Sequence, residues 1–338
     1  MRSAVAALLA VALFSGCLVR AAEMQPDPEK VARAVQRGVA YLKFEQKDDG
    51  SWRELSTYPG GVTALCTLAL LQAGTATDDD SIRRALDHLR ALGEPRSTYV
   101  TALQTMVFCA VDPQKDMALI ERNVRWIESK QLKSGKNHQH KGAWNYGAGG
   151  GRGDGSNSHF ALLALHAATE AGVKVQSDTW RLALDYWADS QEEDGSWCYT
   201  PGLLISSTGS MTCAGITSAD IAAKHLDEEA ASTRARAAKN KAFAWLAQHF
   251  SVTQNPGPPE LDRRWVFFYL HALNHAGQLT GRQRIGDHDW HREGTEFLVA
   301  RQDLIDGRWM GVGYPENNPL ITTSLALLFL TSKAPAGP

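Results

Sequence analysis

His159 and Asp154 are the two residues whose types and spacing best fit acid–base chemistry. Histidine titrates near neutral pH and can take and return a proton, and a nearby carboxylate can hold its ring in a useful orientation. Asp154 lies five residues before His159, beyond a Gly-Ser pair that can bring the carboxylate back toward the ring. We therefore predict that His159 and Asp154 form a catalytic pair. We expect His159→Ala to abolish ligand binding or turnover while the melting temperature stays close to that of the parent.

A second group of polar residues stands at the openings of segments that otherwise lack charge. Its hydroxyl, amide and guanidinium groups belong to Tyr99, Asn157, Ser158, Ser210, Thr212, Arg263 and Asn318. If these segments are helices that run in one direction, their openings meet at one rim, where free amides and partial positive charge suit an anion or a carbonyl. We predict that this set binds a ligand. The competing interpretation is that each residue only caps its helix.

Other candidate chemistry has weaker support. His271 and His275 lie four apart, as two metal ligands on one helix would, but the sequence indicates no third ligand. The glycine-rich run 149–155 lacks the Lys-Ser/Thr ending of a phosphate loop. The sequence also lacks Gly-x-Ser-x-Gly and His-Glu-x-x-His, so hydrolase and metalloprotease mechanisms miss their usual motifs. We accordingly assign no metal site and no cofactor.

Two kinds of helix must position these residues, and they alternate along the chain. Six segments carry an apolar stripe at helical spacing with charges between, as in Val31, Val35, Val39 and Leu42. The other six are almost devoid of charged side chains and must be enclosed all round; they span residues 61–74, 97–111, 157–168, 209–219, 265–279 and 318–332. An open solenoid would show solvated faces on both helices of each pair. The pattern therefore predicts an all-α fold, a single closed (α/α)6 toroid of about twelve helices, six inner and six outer.

One phrase recurs at the end of the charged segments: a glutamine, a few polar residues, then Gly-x-Trp. It runs from Gln46 to Trp52, Gln131 to Trp144, Gln191 to Trp197 and Gln302 to Trp309. These tryptophans fit a repeat of about 50 residues if two copies have decayed, near Tyr99 and near 248–250. We expect the glutamine amide to donate to unpaired carbonyls at the end of its outer helix, and the glycine to allow a left-handed turn. The tryptophan should pack over the helix end.

The phrase and the paired helices resemble the prenyltransferase and squalene-cyclase repeat family over residues 28–332. The resemblance implies an α/α toroid whose central apolar cavity holds an isoprenoid chain. The family's Asp-x-Asp-Asp proton-donor signature is missing, and the acidic run 78–80 sits where a helix N-cap is expected. The Asp-Asp-x-x-Asp diphosphate site is absent as well. Cys109 and Asp112 do not match the zinc ligands of protein prenyltransferases.

Composition and the amino terminus limit which classes of protein and which cellular locations fit the sequence. The 338 residues carry a net charge of −2 and are 43% hydrophobic, which is typical of a globular chain and offers no basic surplus for nucleic acid. Residues 1–22 predict an export signal and a location in the periplasm or at the cell surface. The alternative is a lipoprotein attached through Cys17. Residues 23–338 should then form one toroid domain without a transmembrane segment, in which only Cys198 and Cys213 are close enough in sequence to suggest a bridge.

Three functions follow from these features. The first is an exported terpenoid cyclase- or prenyltransferase-like toroid that binds an apolar small molecule or lipid, isoprenoid in type, in its central cavity. The second is a non-catalytic scaffold or binding module at the surface, which uses loops such as 134–156. The third is a polysaccharide-active toroid, which requires paired carboxylates; Asp154, Asp220 and Asp262 are its candidates. The oligomeric state is left open.

Overall fold

The charged and uncharged segments form the alternating helices that their patterns predict. The computed structural model describes residues 26–55, 59–133, 138–147, 151–203, 206–261 and 263–335, so the predicted export signal, Cys17 and Asp262 lie outside it. In those ranges the chain forms twelve α-helices and no strand beyond isolated bridges. The helices are α1 (Pro28–Phe44), α2 (Gly61–Gln72), α3 (Asp80–Ala91), α4 (Thr98–Val111), α5 (Pro113–Lys130), α6 (Gly155–Glu170), α7 (Ser177–Asp189), α8 (Gly209–Lys224), α9 (Glu229–His249), α10 (Val266–Thr280), α11 (Trp290–Arg301) and α12 (Pro319–Leu330).

The even-numbered helices form the inner ring. Each contacts the next, from α2 through α4, α6, α8 and α10 to α12, and α12 contacts α2, which closes the ring. The odd-numbered helices pack outside them, for example α3 on α2, α5 on α4 and α9 on α8. In α12 every side chain from Leu320 to Leu330 is buried, as expected of a helix without a charged face. The predicted toroid of six inner and six outer helices is therefore confirmed.

Acidic N-caps begin several of the outer helices. Asp79 Oδ1 accepts the backbone N–H of Ser81 at 3.0 Å at the start of α3. Asp112 and Asp289 do the same for α5 and α11. These contacts satisfy backbone donors that have no partner within the helix. The acidic run 78–80 thus caps a helix, as its position in the sequence predicts.

The Gln…Gly-x-Trp phrase joins one repeat to the next, but its glutamine acts differently from the prediction. The indole N–H donates to a last-turn carbonyl of its own outer helix; Trp197 Nε1 lies 2.8 Å from the carbonyl oxygen of Trp187. The glutamine amide reaches the neighbouring outer helix instead. Gln191 Nε2 donates to the carbonyls of Gly195 and Ala238, each at 2.9 Å. The other three copies repeat these contacts, so the expectation that glutamine serves its own helix end was wrong.

A glycine is required inside the phrase for two reasons. Gly195 has a φ of +94°, in the left-handed region that side chains disfavour. A Cβ at this position would also lie 2.5 Å from the carbonyl oxygen of Lys241 in α9. The close approach of the turn to the next outer helix therefore excludes any side chain here.

A hydroxyl on the following inner helix completes each link, and sequence analysis missed it. The backbone N–H groups of the four phrase tryptophans donate to the hydroxyl oxygens of Thr63, Ser158, Thr212 and Thr323, at 3.1, 2.9, 3.3 and 3.0 Å. The Ser158 and Thr212 hydroxyls also donate to carbonyls one helical turn earlier, at Asp154 and Thr208. Ser158 and Thr212, which the sequence suggested as ligand contacts, thus connect each turn to its inner helix.

Two further expectations concern cysteines and membranes. Every cysteine in the described ranges carries a free thiol, so Cys198 and Cys213 do not form the bridge that their spacing suggested. Cys213 lies fully buried in α8, where burial raises its pKa and keeps it protonated. None of the described helices has the length and apolar character needed to cross a bilayer.

Candidate functional site

The middle of the ring contains two cavities, one at each end of the inner helices. The upper cavity, of about 470 Å³, lies among the helix N-termini and is lined by residues such as Val62, Tyr99, Phe160, Ser210, Phe268 and Glu316. The lower cavity, of about 460 Å³, lies among the C-termini, beside Gln72, Glu170 and His275. Leu65, Leu103 and Phe160 line both and so form the partition between them. The inner-helix openings that line the upper cavity thus meet on one side of the ring, as the sequence analysis expected.

Aromatic rings form much of the upper cavity wall. Phe160 stacks on Phe268 with ring centroids 6.3 Å apart, and it lies 4.7 Å from the ring of Tyr99. Tyr146 extends this wall, with its ring centroid 6.1 Å from that of Tyr99, and half-buried Trp265 lines the same cavity. Such a surface binds apolar groups by dispersion and by removing them from water.

Glu316 is the one carboxylic acid that lines the upper cavity among the residues that the structure describes. It is only 1% exposed, and its Oε1 accepts the backbone N–H of Phe268 at 2.7 Å in the first turn of α10. That turn has no capping side chain of its own, because its N-cap position is Trp265 in a left-handed conformation. Glu316 therefore caps α10 from the loop that precedes α12. Its Oε2 has no hydrogen-bond partner among the described atoms.

Opposing effects set the pKa of Glu316. Burial disfavours the carboxylate and raises the pKa to about 7, while the backbone N–H groups of Phe268, Val266 and Phe267 act in the opposite direction. Both protonation states are therefore populated near neutral pH. A carboxyl group in this condition can donate a proton or a hydrogen bond as readily as it can accept one.

Asp154 is the N-cap of α6. Its Oδ1 accepts the backbone N–H of Asn157 at 2.9 Å and the hydroxyl of Ser156 at 2.7 Å. Its Oδ2 accepts the hydroxyl of Tyr199 at 2.7 Å, and Tyr199 in turn lines the upper cavity. Burial and the adjacent carboxylate raise the pKa of Tyr199, which keeps it a neutral phenol. The carboxylate thus orients a tyrosine of the cavity wall.

His159 lines neither of the two cavities. It is fully buried, its Nδ1 lies 3.5 Å from Ser218 Oγ of α8, and its ring centroid is 6.0 Å from that of His275 in α10. Its Nε2 has no hydrogen-bond partner in the described part of the chain. Burial and the neighbouring His275 hold the pKa of His159 well below its usual value. The structure does not bring His159 and Asp154 together as a hydrogen-bonded pair.

The remaining predicted residues divide between the cavity wall and the helix ends. Tyr99 and Ser210 line the upper cavity, and Ser210 Oγ accepts Nδ2 of Asn255 at 3.1 Å. Asn318 caps α12 by accepting a backbone N–H at 3.0 Å. Arg263 is exposed just before α10. The cavity therefore contains two members of the predicted set, and capping explains Asn318.

Asn157 stands apart from these residues. It is fully buried in the first turn of α6, and neither its Oδ1 nor its Nδ2 has a partner among the described atoms. It does not contribute to the upper cavity lining as the structure defines it.

Glu316, Tyr199 and Tyr146 are among the polar residues of the upper cavity that the sequence did not suggest. All three lie in the connections between helices and not at the inner-helix openings where we searched. Only their positions close to inner-helix openings could have pointed to them. Glu316 stands two residues before the opening at Asn318, but the helix that it caps belongs to the preceding repeat.

Comparison with known proteins supports the fold. No protein-family model matches the chain, and no curated protein does either. Among solved structures, a type II terpene cyclase from Scytonema, in complex with its substrate geranylgeranyl dihydroxybenzoate, is 12% identical with a TM-score of 0.60 and covers 90% of this chain and 97% of its own. An α-1,6-mannanase from Salegentibacter sp. is 9% identical with a TM-score of 0.63 and coverages of 89% and 98%. Candida albicans protein geranylgeranyltransferase-I, complexed with GGPP, is 11% identical with a TM-score of 0.56 and coverages of 90% and 90%.

These identities establish a shared fold and nothing further. The structural resemblance to the prenyltransferase and squalene-cyclase toroids is confirmed at that level. A mannanase with the same architecture indicates that this toroid serves unrelated reactions. Function must therefore be argued from the cavity of this chain.

Proposed function

We propose that the protein binds an apolar, isoprenoid-type ligand in the upper cavity. The observation that carries the proposal is the lining: aromatic and aliphatic side chains surround about 470 Å³, and Glu316 supplies a single buried carboxyl group. A cavity of this size and character falls in the range that holds small molecules, with apolar walls for affinity and few polar groups for orientation. In this proposal the protonated form of Glu316 donates a hydrogen bond to the polar end of the ligand.

The structural neighbours lend support to the ligand class. The Scytonema cyclase binds geranylgeranyl dihydroxybenzoate, and the Candida transferase binds GGPP, in toroids of the same architecture. This chain lacks the acidic signatures of the family in its sequence. A buried carboxyl group with a pKa of about 7 would nevertheless give the cavity an acid of its own.

Two substitutions on one helix test the proposal. Ile321 and Leu328 both lie in α12, but Ile321 lines the upper cavity and Leu328 lines the lower cavity. Isothermal titration with geranylgeraniol should give saturable binding to the parent, and Ile321→Phe should weaken it about tenfold or more because the ring occupies ligand space. Leu328→Phe is the matched control for overpacking, and it should retain the parent affinity.

Stability measurements on the same variants distinguish a loss of ligand binding from a loss of folding. Overpacking of either site should lower stability by about 1–3 kcal/mol, so thermal melts of both variants must be compared with the parent. An absence of geranylgeraniol binding to the parent would contradict the proposal. Equal weakening by the two substitutions would place the ligand elsewhere.

The alternative functions find less support in the geometry. A polysaccharide-active site needs two carboxylates that face one substrate. Asp154 caps α6, and Asp220 pairs with Lys239, so neither faces the upper cavity with Glu316. Asp262 lies outside the described residues. The scaffold hypothesis would instead leave the upper cavity empty of ligand in every binding assay.

We also propose that the chain is exported by its segment 1–22. Amino-terminal sequencing of the mature protein tests this directly. A start at residue 22 or 23 supports cleavage of an export signal, and a lipid-modified start at Cys17 supports the lipoprotein alternative. An intact Met1 in the mature chain would contradict both.

A further inference from the structure

A cluster of metal-ligand side chains lies at the opposite end of the ring from the upper cavity. His166 and Glu170 stand one turn apart on α6, and His225 directly follows α8. His166 Nδ1 lies 2.9 Å from His225 Nε2 and 3.8 Å from Glu170 Oε1. The three ligand atoms all fall within 4.8 Å of one another, and no other such group occurs among the described residues.

These separations suit a tetrahedral ion. Zinc bonds to imidazole nitrogen and carboxylate oxygen at about 2.0–2.1 Å, which places neighbouring ligand atoms about 3.3 Å apart. The observed separations of 2.9 and 3.8 Å bracket that value, so small side-chain movements would bring the three atoms around one ion. The backbone need not move, because a helical turn and a helix end already hold the ligands together.

The imidazoles carry no positive charge, and one of the two facing nitrogens must pass its proton to the other nitrogen of its ring before both can bind a metal. Burial, followed by the nearby Lys224, lowers the pKa of His166. Burial, His166 and Lys224 together lower the pKa of His225 to about 4. Both rings are neutral at physiological pH, and neutral imidazole is the form that binds metal. The ring of Trp180 stacks on His225 with centroids 4.4 Å apart and fixes its orientation.

One residue of the cluster, Glu170, reaches both solvent and the lower cavity. The Glu170 side chain is 58% exposed, and Glu170 lines the lower cavity together with His275. We infer that His166, Glu170 and His225 form a binding site for one divalent transition ion of the zinc type, with three protein ligands and an open position toward the lower cavity. Two imidazoles and one carboxylate are the ligand set that zinc accepts in open, water-bearing sites.

Lys224 opposes metal binding and provides a sensitive control. Its Nζ lies 3.1 Å from Glu170 Oε1, where it neutralises the carboxylate and repels a second cation. Removal of this charge in Lys224→Gln should free Glu170 and tighten zinc binding several-fold. A cluster that exists only as a hydrogen-bonded histidine pair would show no such gain.

Calorimetry on the full chain tests the inference. After treatment with a chelator and dialysis, titration with Zn²⁺ should give one equivalent bound, and Co²⁺ should give the visible absorbance of a tetrahedral site. Glu170→Gln, His166→Asn and His225→Asn should each weaken binding about tenfold or more. Glu170 is exposed, so its variant keeps the test valid if a histidine variant unfolds.

His288→Asn is the matched control. His288 Nδ1 lies 3.0 Å from Glu293 Oε2, but this pair belongs to no three-residue group in the described ranges. Its loss should leave the zinc affinity unchanged. The inference is overturned if the parent binds no zinc, or if the three ligand variants bind it as tightly as His288→Asn does.

Discussion

Glu316→Gln should stabilise the fold at alkaline pH and leave its stability almost unchanged at acid pH. The glutamine side chain has the same shape and keeps an oxygen that can accept the N–H of Phe268, now 2.7 Å from Glu316 Oε1. It carries no charge at any pH. The variant therefore removes the cost of burying a carboxylate while it preserves the cap of α10.

The magnitude follows from the two pKa values of Glu316. The group has a pKa of about 7 in the fold against 4.5 as an isolated side chain, a difference of about 2.5 units. Between these values the folded chain holds a proton that the unfolded chain has released, so the stability of the parent falls as pH rises. At about 1.4 kcal/mol per unit, the loss reaches roughly 3 kcal/mol above the folded pKa.

Urea unfolding of parent and variant at several pH values measures this loss. The difference in free energy of unfolding should be smallest below about pH 4, where Glu316 is protonated in the folded state and mostly protonated in the unfolded state, and should grow toward a plateau above about pH 8. The other titrating groups are common to both proteins and cancel in the difference. A difference that does not change with pH would refute the assignment of Glu316 as a buried acid with a raised pKa.

Three further predictions concern the links between repeats and the cavity wall. Gly172 has a φ of +95° and open space around its Cβ position, so Gly172→Ala should lower the free energy of unfolding by about 1–2 kcal/mol. Gly195 has a φ of +94°, and a new Cβ would lie 2.5 Å from a carbonyl oxygen, so thermal melts should show a clearly larger loss of stability for Gly195→Ala. Tyr199→Phe leaves one oxygen of Asp154 without its donor and should cost about 1–3 kcal/mol in urea unfolding; an unchanged midpoint would contradict this. His159→Ala should destabilise by about 2–4 kcal/mol because it empties a buried site, and should leave geranylgeraniol affinity unaltered. An unchanged melting temperature with lost binding would instead restore the role that the sequence suggested for His159.

The architecture could be predicted because its signature is local. A helix that is enclosed on all sides must lack charge along its whole length, and that property is visible in each segment separately. The uncharged segments 61–74 and 318–332 correspond to α2 (Gly61–Gln72) and α12 (Pro319–Leu330) within a few residues. Their alternation with charged helices then leaves few arrangements other than a closed ring.

The chemistry of the phrase could be predicted only in part. Its glycine and tryptophan act within the turn, and local reasoning placed both correctly. The glutamine bonds to a carbonyl on the next outer helix, as Gln191 does to Ala238, 47 residues further along the chain. A contact of this range depends on how neighbouring repeats pack, which spacing within one repeat does not reveal.

The site was harder to predict for the same reason. His159 and Asp154 are close in sequence, but the helix directs His159 toward α8 and α10, while the cap holds Asp154 at the start of α6. Glu316 acts on α10 from the following repeat, 48 residues from its partner Phe268. His166 and Glu170 show helical spacing in the sequence, but the third member of their group, His225, lies just after another helix, α8.

A crystal structure of the protein with geranylgeraniol tests the central claim most directly. We expect the isoprenoid chain to lie in the upper cavity against Phe160 and Phe268, with its hydroxyl within hydrogen-bond distance of Glu316 Oε2. Ligand in the lower cavity or on the outer surface would contradict the account. So would an upper cavity that side chains fill when the protein is crystallised alone.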